Sequence, residues 1–463
     1  MIAASVGARV ALVERDRTGG DCLWTGCVPS KSLIASARLA ERMRSADELG
    51  LAAVEPEIDL GQVMDRVREA IATIEPQDSP GRLRGEGVDV IAGQGRFEDA
   101  RTLAVGDRRL RFRAAILATG SEPMLPPVAG LEGARVSTTE TIWDLRELPS
   151  RLVVLGGGPI GCELSQAFGR LGSEVVMVEV ADRLLGKEEP EASALIAERL
   201  AGEGVDVRLG TKATEVRDGL GDRSEMVLEG PSGRDAVAFD RVLVATGRRP
   251  RSADLGLEAA GVEVDRSGAV VVDDRLRTTA AGIYAAGDVT ARLPFTHVAA
   301  HHARVASVNA LFGSRRTVDE TIPWVTFTDP EVARVGLSEA QARERWGTRA
   351  QVARSEYSVL DRAVTDARAY GFALLVADPR GRLVGATVAA PGGGEVIAEL
   401  AARVRNREKI DSVSTTVHAY PTMAEGPARA ADDYLRRRYS SRRYRLLARS
   451  VLGVRRLLAR LGE

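Results

Sequence analysis

The chain has 463 residues, 44% of them hydrophobic and 28% charged, with 64 Lys and Arg against 65 Asp and Glu for a formal net charge of -1. That length predicts two to four domains with ample core, and the balanced charge gives no global case for nucleic-acid binding. No run of about 18 apolar residues occurs, the opening residues do not read as a secretory leader, and three cysteines are too few for a disulfide scaffold, so a reducing cytoplasm is the expected compartment.

GARVALVERDR (Gly7 to Arg17) predicts the end of a helix followed by a buried strand that closes on an acid, Glu14. GGDCLWTGC (19–27) follows, with Cys22 and Cys27 separated by four residues. Two thiols form a bond only if their Cα atoms come within about 4.4–6.8 Å. Four intervening residues can fold into a distorted first helical turn, Pro29 suits an early helix position, and a helix N-terminus lowers a thiol pKa. A redox pair, a static disulfide and half a metal site are the readings of the pair, the last needing ligands that no nearby CxxC or His cluster supplies. EPQDSPGRLRGEGV (Glu75 to Val88) reads as a polar loop, and ILATGS (Ile116 to Ser121) as an apolar strand running into a turn.

A second copy of this pattern follows. GSEVVMVEVADR (Gly172 to Arg183) matches the first segment, and LVATGR (Leu243 to Arg248) matches ILATGS. This copy opens with RLVVLGGGPIGCE, a strand (Leu152 to Leu155) leading into Gly156, Gly158, Pro159, Ile160 and Gly161, with Glu179 following 23 residues after Gly156. Strand, glycine loop, helix and acid-tipped strand form a dinucleotide fingerprint: one glycine for the tight turn, one for approach of the pyrophosphate, one for helix packing. Cys162 is expected to be a small packing residue. The same spacing counted back from Glu14 lands before residue 1. The expectation is therefore a chain that starts inside its first βαβ unit, at an internal methionine, with a first nucleotide site that lacks its phosphate loop and binds more weakly.

Two nucleotide units flanking a C-x-x-x-x-C-x-P-S-K motif resemble the pyridine nucleotide-disulfide oxidoreductases, a family that includes dihydrolipoamide dehydrogenase, glutathione reductase and mercuric reductase. The resemblance covers residues 1 to about 430. It implies an α/β fold with two doubly wound nucleotide-binding domains, for FAD and NAD(P), plus a C-terminal α+β dimerisation domain. The expected boundaries are 1–148 with 273–318 for FAD, 149–272 for NAD(P), and 319–430 for the dimer interface.

By the resemblance, Cys27 lies against the flavin and Cys22 is the interchange thiol, while Lys31 pairs with Glu163 beside the flavin. Glu14, Lys31, Gly95, Thr119, Gly120, Ser121, Asp288, Phe295, Thr296 and His297 are the expected FAD positions. Gly156, Gly158, Pro159, Ile160, Gly161, Glu163, Glu179 and Gly247 are those for NAD(P). A carboxylate at Glu179 favours the ribose 2′-OH of NADH over the 2′-phosphate of NADPH. HAYPTMAE (His418 to Glu425) matches the family's C-terminal motif, which in dimers reaches the partner subunit's cysteines; here Tyr420 stands where the histidine acid-base stands, and His418 lies two residues earlier. If this stretch is extended, alternation points His418 and Tyr420 the same way. His418 is then either a displaced base or a satisfied surface histidine. Tyr420 and WVTFTDPEVARVG (Trp324 to Gly336) are similar to mercuric reductase, although no cysteine follows Cys162 to form that enzyme's second pair.

These features imply an NAD(P)H-dependent flavoprotein, a homodimer, passing electrons through Cys22 and Cys27 to a disulfide, quinone or related small molecule, with no nucleic-acid partner and no bound metal. Mercuric reduction is the alternative. An alternative of another class is a flavin-deficient binding or regulatory protein. From Tyr434 to Glu463 there are ten arginines and one acid, and Leu446, Leu447, Val451, Val454, Leu458 and Leu461 recur at helical spacing. This basic amphipathic helix, within 431–463, either meets an anionic membrane surface from the cytoplasmic side or packs on the protein itself.

Overall fold

The structure, a computed structural model, describes residues 1–133, 135–218, 224–440 and 442–461. The chain divides into two compact units, the first formed by 1–46, 52–185 and 197–320, the second by 47–51, 186–196 and 321–463. Most of the segments expected to hold FAD and NAD(P) therefore lie within one unit.

In the first unit, α1 (Ile2–Ser5) leads into β1 (Val10–Glu14), followed by α2 (Gly20–Trp24) and α3 (Cys27–Arg44). Then come α4 (Leu60–Ile74), α5 (Pro80–Gly85) and β2 (Val88–Ala92), which pairs in parallel with β1. The stretch expected to be a polar loop thus holds a helix. Ser79 accepts the amide of Arg82 at 3.2 Å and Pro80 fills the first helical position, a cap and start signal that the polar composition masked.

The chain continues through β3 (Ala115–Leu117), β4 (Ser121–Pro123), β5 (Val136–Thr138), β6 (Arg151–Leu155), α6 (Pro159–Arg170), β7 (Glu174–Val178) and β8 (Asp206–Arg208). It closes with β9 (Arg241–Val244), β10 (Arg248–Pro250), β11 (Ile283–Ala285) and α7 (Thr296–Phe312). The second repeat forms one parallel sheet in the order β8-β7-β6-β9-β5. Leu152, Val153 and Val154 on β6 are fully buried, as a parallel strand covered on both faces requires. In the first repeat β1 pairs with β2, and β3 pairs with β11, as two separate two-stranded sheets. The expectation that β1 is buried is overturned: Ala11 and Leu12 are exposed, because one edge of β1 has no strand partner among the described residues.

The second unit is built on an antiparallel sheet in the order β12 (Pro323–Thr326), β13 (Glu331–Gly336), β16 (Leu383–Ala390), β15 (Phe372–Ala377) and β14 (Gln351–Glu356). Every residue of β15 is buried, and Val396, Ile397 and Leu400 of α8 (Gly393–Arg405) join the same core. After α9 (Ile410–Thr415), α10 (Glu425–Tyr439) and α11 (Arg442–Leu461) end the described chain. Leu446, Val451, Val454 and Leu458 of α11 are all more than half exposed, so these four described residues of the stripe are not packed on the chain's own surface. Residues 441, 462 and 463, and the side chains of Leu447 and Leu461, lie outside the described residues. Among the described residues, no helix is long and apolar enough to cross a membrane.

Candidate functional site

The thiol pair sits at a helix break. Cys22 lies inside the five-residue α2, Thr25 and Gly26 interrupt the helix, and Cys27 is the first residue of α3. Both cysteines are free thiols, and the Cys27 sulfur lies 3.3 Å from the Thr296 hydroxyl at the start of α7. The hydrogen bond from Cys22 is the main reason the Cys27 pKa falls to about 6; the Thr296 hydroxyl and the Lys31 charge help, against the opposing effect of burial. The Cys22 thiol moves the other way, because it donates that bond and is partly buried. Cys27 is thus the thiolate of the pair near neutral pH, as an α-helix N-terminus favours.

One turn along α3, the Lys31 ammonium donates to the Glu163 carboxylate at 2.8 Å, and Glu163 is buried on α6. This joins the helix carrying Cys27 to the helix that follows the dinucleotide loop. Asp288, in the short helical turn Gly287–Thr290, accepts from the Ser121 hydroxyl at 2.8 Å. Thr119 donates to the Arg251 carbonyl at 2.6 Å, and Gly120 lies between them at the end of β3. Phe295 and His297 stack with ring centroids 5.5 Å apart, flanking Thr296. Glu14 ends β1 and accepts the Asp16 amide at 2.9 Å, and Gly95 begins an antiparallel hairpin strand over 95–99. Cys162 is fully buried and its thiol pKa is raised by burial, in keeping with a packing residue.

The second loop has the close packing its glycines predict. A Cβ on Gly161 would stand 1.9 Å from the Gly156 carbonyl, and Gly156 has φ +109° with the Ala245 carbonyl 2.5 Å from where a Cβ would be. Gly158 instead faces open space at the N-terminus of α6, with Pro159 and Ile160 exposed beside it. The Glu179 carboxylate, just past β7, accepts the amides of Gly157 at 2.5 Å and Ala181 at 2.7 Å. Gly247 accepts the Met124 amide at 3.1 Å.

In the second unit, the expected alternation of His418 and Tyr420 does not hold. The helix α9 runs to Thr415, and the chain then turns out, with Val417 97% exposed. His418 meets Glu399 at 3.1 Å and its side chain is only 10% exposed. Tyr420 is 69% exposed and donates its hydroxyl to Asp361 at 2.8 Å, a bond that raises its pKa. The Glu425 carboxylate accepts the Thr422 amide at 3.2 Å at the head of α10.

Two sets of residues escaped sequence reasoning. Asp21, Arg248, Arg251 and Thr139 form a polar network beside the thiol helix; their signal was charge, an acid directly before Cys22 and arginines directly after Gly247. His302 is buried, and burial pushes its pKa down to about 4; its Nδ1 accepts the Gly287 amide at 3.3 Å. No sequence pattern singles it out within α7.

The family model described as pyridine nucleotide-disulphide oxidoreductase matches residues 1–303, and that of its dimerisation domain matches 322–431. The chain belongs to the pyridine nucleotide-disulphide oxidoreductases. It is 36% identical over 442 residues to a dihydrolipoyl dehydrogenase of Thermus scotoductus, covering 93% of each chain. It is 37% identical over 441 residues to a mercuric reductase of Streptomyces lividans, covering 93% of this chain and 92% of that one. Among solved structures it resembles the HOCl-induced flavoprotein disulfide reductase RclA from Escherichia coli, with a TM-score of 0.83 and 28% identity over 93% of this chain and 95% of that one.

As a member of this family, the protein is an NAD(P)H-dependent, FAD-dependent disulfide oxidoreductase, and its dimerisation domain supports a homodimer. The reading as a non-enzymic binding protein is thereby set aside. The residues present fit both cofactors. Open space at Gly158 beside a helix N-terminus without a side-chain cap suits a pyrophosphate. On the flavin side, the thiolate-forming Cys27, the Lys31–Glu163 pair and the Ser121–Asp288 bond offer charge and acceptors of the kind a flavin uses.

Proposed function

We propose that the protein passes electrons from NAD(P)H through the Cys22/Cys27 pair to a small-molecule acceptor, a disulfide or a quinone. The observation that carries this reading is the pair of free thiols at the helix break, with Cys27 at the N-terminus of α3 and 3.3 Å from Thr296. FAD, when bound, supplies two-electron transfer between the nicotinamide and the thiols. The chain's own residues do the rest. Cys27 and Cys22 close and open one S–S bond: closing gives up two electrons to the acceptor and, with Cys27 already a thiolate, the one proton of Cys22, and opening takes up two electrons and one proton. Lys31 and Glu163 keep a fixed charge pair behind Cys27. Glu14, Gly95, Thr119, Gly120, Ser121, Asp288, Phe295, Thr296 and His297 are proposed to hold the flavin. Gly156, Gly158, Pro159, Ile160, Gly161, Glu163, Glu179 and Gly247 are proposed to hold the nicotinamide cofactor, with Glu179 favouring NADH.

At the far end, Tyr420 and Glu425 are proposed to be the groups offered to the acceptor in the dimer. His418 is occupied by Glu399, and a tyrosine whose pKa is raised is a poor proton shuttle at neutral pH. An acceptor that needs no protonated histidine, such as a quinone, suits this arrangement. The likeness to mercuric reductases makes Hg(II) the second acceptor to test. NADH oxidation with disulfides, quinones and Hg(II), repeated on Cys22→Ser and Cys27→Ser, tests the reading. Disulfide turnover falls at least 10³-fold in both variants, and disulfide turnover that survives overturns the thiol relay.

The exposed stripe of α11, on a 20-residue helix without a single acid, is proposed to lie on an anionic bilayer. Flotation with anionic but not neutral vesicles, lost on deletion of 434–463, is the expected result. Flotation that is unchanged by the deletion removes this contact.

A further inference from the structure

Five residues are too few for a helix to hold its own shape, and α2 has Gly19 in a left-handed conformation at its N-cap with no side-chain cap bond. The position of Cys22 is therefore set by what grips α2 from outside. Leu23 is buried, and the Trp24 indole donates to the Thr18 carbonyl at 2.7 Å, within the same loop. From distant sequence comes a different grip. The Asp21 carboxylate accepts from Arg248 Nη2 at 2.5 Å on one oxygen and from Arg251 Nη1 at 3.3 Å on the other.

The two arginines are themselves fixed. Arg248 also donates to the Ser121 hydroxyl at 2.7 Å, the Ser121 carbonyl at 2.8 Å and Thr139 Oγ1 at 3.1 Å, while Arg251 donates to Glu140 at 2.5 Å. The Ser121 hydroxyl passes the chain on to Asp288. Both arginine side chains are about one-fifth exposed, while the Asp21 carboxylate they grip is 38% exposed. One guanidinium thus joins the residue before Cys22, the turn after Gly247 and the carboxylate of Asp288.

We infer that Asp21 is a positioning residue: gripped by Arg248 and Arg251, it fixes the helix carrying Cys22 against Cys27 and so sets the thiol–disulfide equilibrium of the pair. This rests on the proposed thiol relay. Closing the S–S bond depends on how often the two sulfurs meet, so a looser α2 lowers the equilibrium constant for the disulfide and makes it easier to reduce.

The test equilibrates the purified protein with dithiothreitol buffers. The Cys22 and Cys27 thiols give two electrons and two protons to oxidised dithiothreitol, whose ring S–S bond opens as the protein's forms. Alkylation and mass spectrometry read the fraction oxidised, independently of cofactor content and turnover. Asp21→Asn and Arg248→Met each lower the equilibrium constant about tenfold, about 30 mV toward a less negative potential. The double variant falls no further, because both changes break the same interaction, and Arg248→Lys retains part of the wild-type value. Should Arg248→Met not fold, as judged by thermal melting, the near-isosteric Asp21→Asn decides alone. Variants within twofold of wild type, or a double variant whose losses add, overturn the inference. A wild-type protein in which no buffer forms the Cys22–Cys27 bond overturns the thiol relay itself.

Discussion

In the second copy of the repeat, β7 lies between β6 and β8, and Met177 within it is fully buried. In the first copy, β1 pairs only with β2 among the described residues, and the equivalent Leu12 is 36% exposed. The local sequences are nearly interchangeable, VALVE against EVVMV followed by Glu179. The difference teaches that an apolar strand pattern specifies a strand but not its burial, which depends on how many neighbours the strand has. The nicotinamide cofactor is proposed to sit at the glycine loop of the second copy, whereas the first carries the thiols, with Thr296 of α7 beside Cys27.

The sharpest way to break the comparison is to fill the packed copy. Gly161→Val forces side-chain atoms into the Gly156 carbonyl, and nicotinamide affinity falls at least 100-fold, read as quenching of protein fluorescence by NADH. The dithiothreitol equilibrium of Cys22 and Cys27 stays at the wild-type value, because those thiols belong to the open copy. Loss of both functions together would show that the two copies do not act separately.

The glycine loop was legible because each glycine answers a steric demand local in sequence, and the Lys31–Glu163 pair because the family resemblance implies it. What stayed hidden is long-range. Leu12 reads as core by composition, and only the sheet order reveals its exposure. The Asp21–Arg248 contact spans more than 200 residues and leaves no periodic trace. The divergence of His418 and Tyr420 is equally long-range, because Glu399 takes the histidine and Asp361 the tyrosine.

Within the packed copy, Glu179 sets a second contrast. Its carboxylate closes the loop onto the Gly157 amide and is proposed to meet the cofactor's ribose. Glu179→Ala is expected to lower kcat/KM for NADH about tenfold while NADPH changes little, about 1.4 kcal/mol of discrimination. In the open copy the matching experiment is a titration. Alkylation of Cys27 by iodoacetamide rises with pH through a midpoint near 6, since the protonated thiol below that pH is unreactive and the thiolate above it is the nucleophile. Lys31→Met moves the midpoint up, because it removes a charge that favours the thiolate.

The smallest effect addresses the comparison most directly. Met177→Thr places a hydroxyl and a void in a fully buried strand, at a cost of about 3 kcal/mol. Leu12→Thr makes the same kind of change at the matching position of β1, where the side chain already meets water and threonine suits a strand. Its cost is expected to stay below about 0.5 kcal/mol in urea unfolding, with an unchanged m-value. A cost at Leu12 as large as at Met177 would mean that in solution the open face of β1 is covered, and that the two copies are more alike than their sheets suggest.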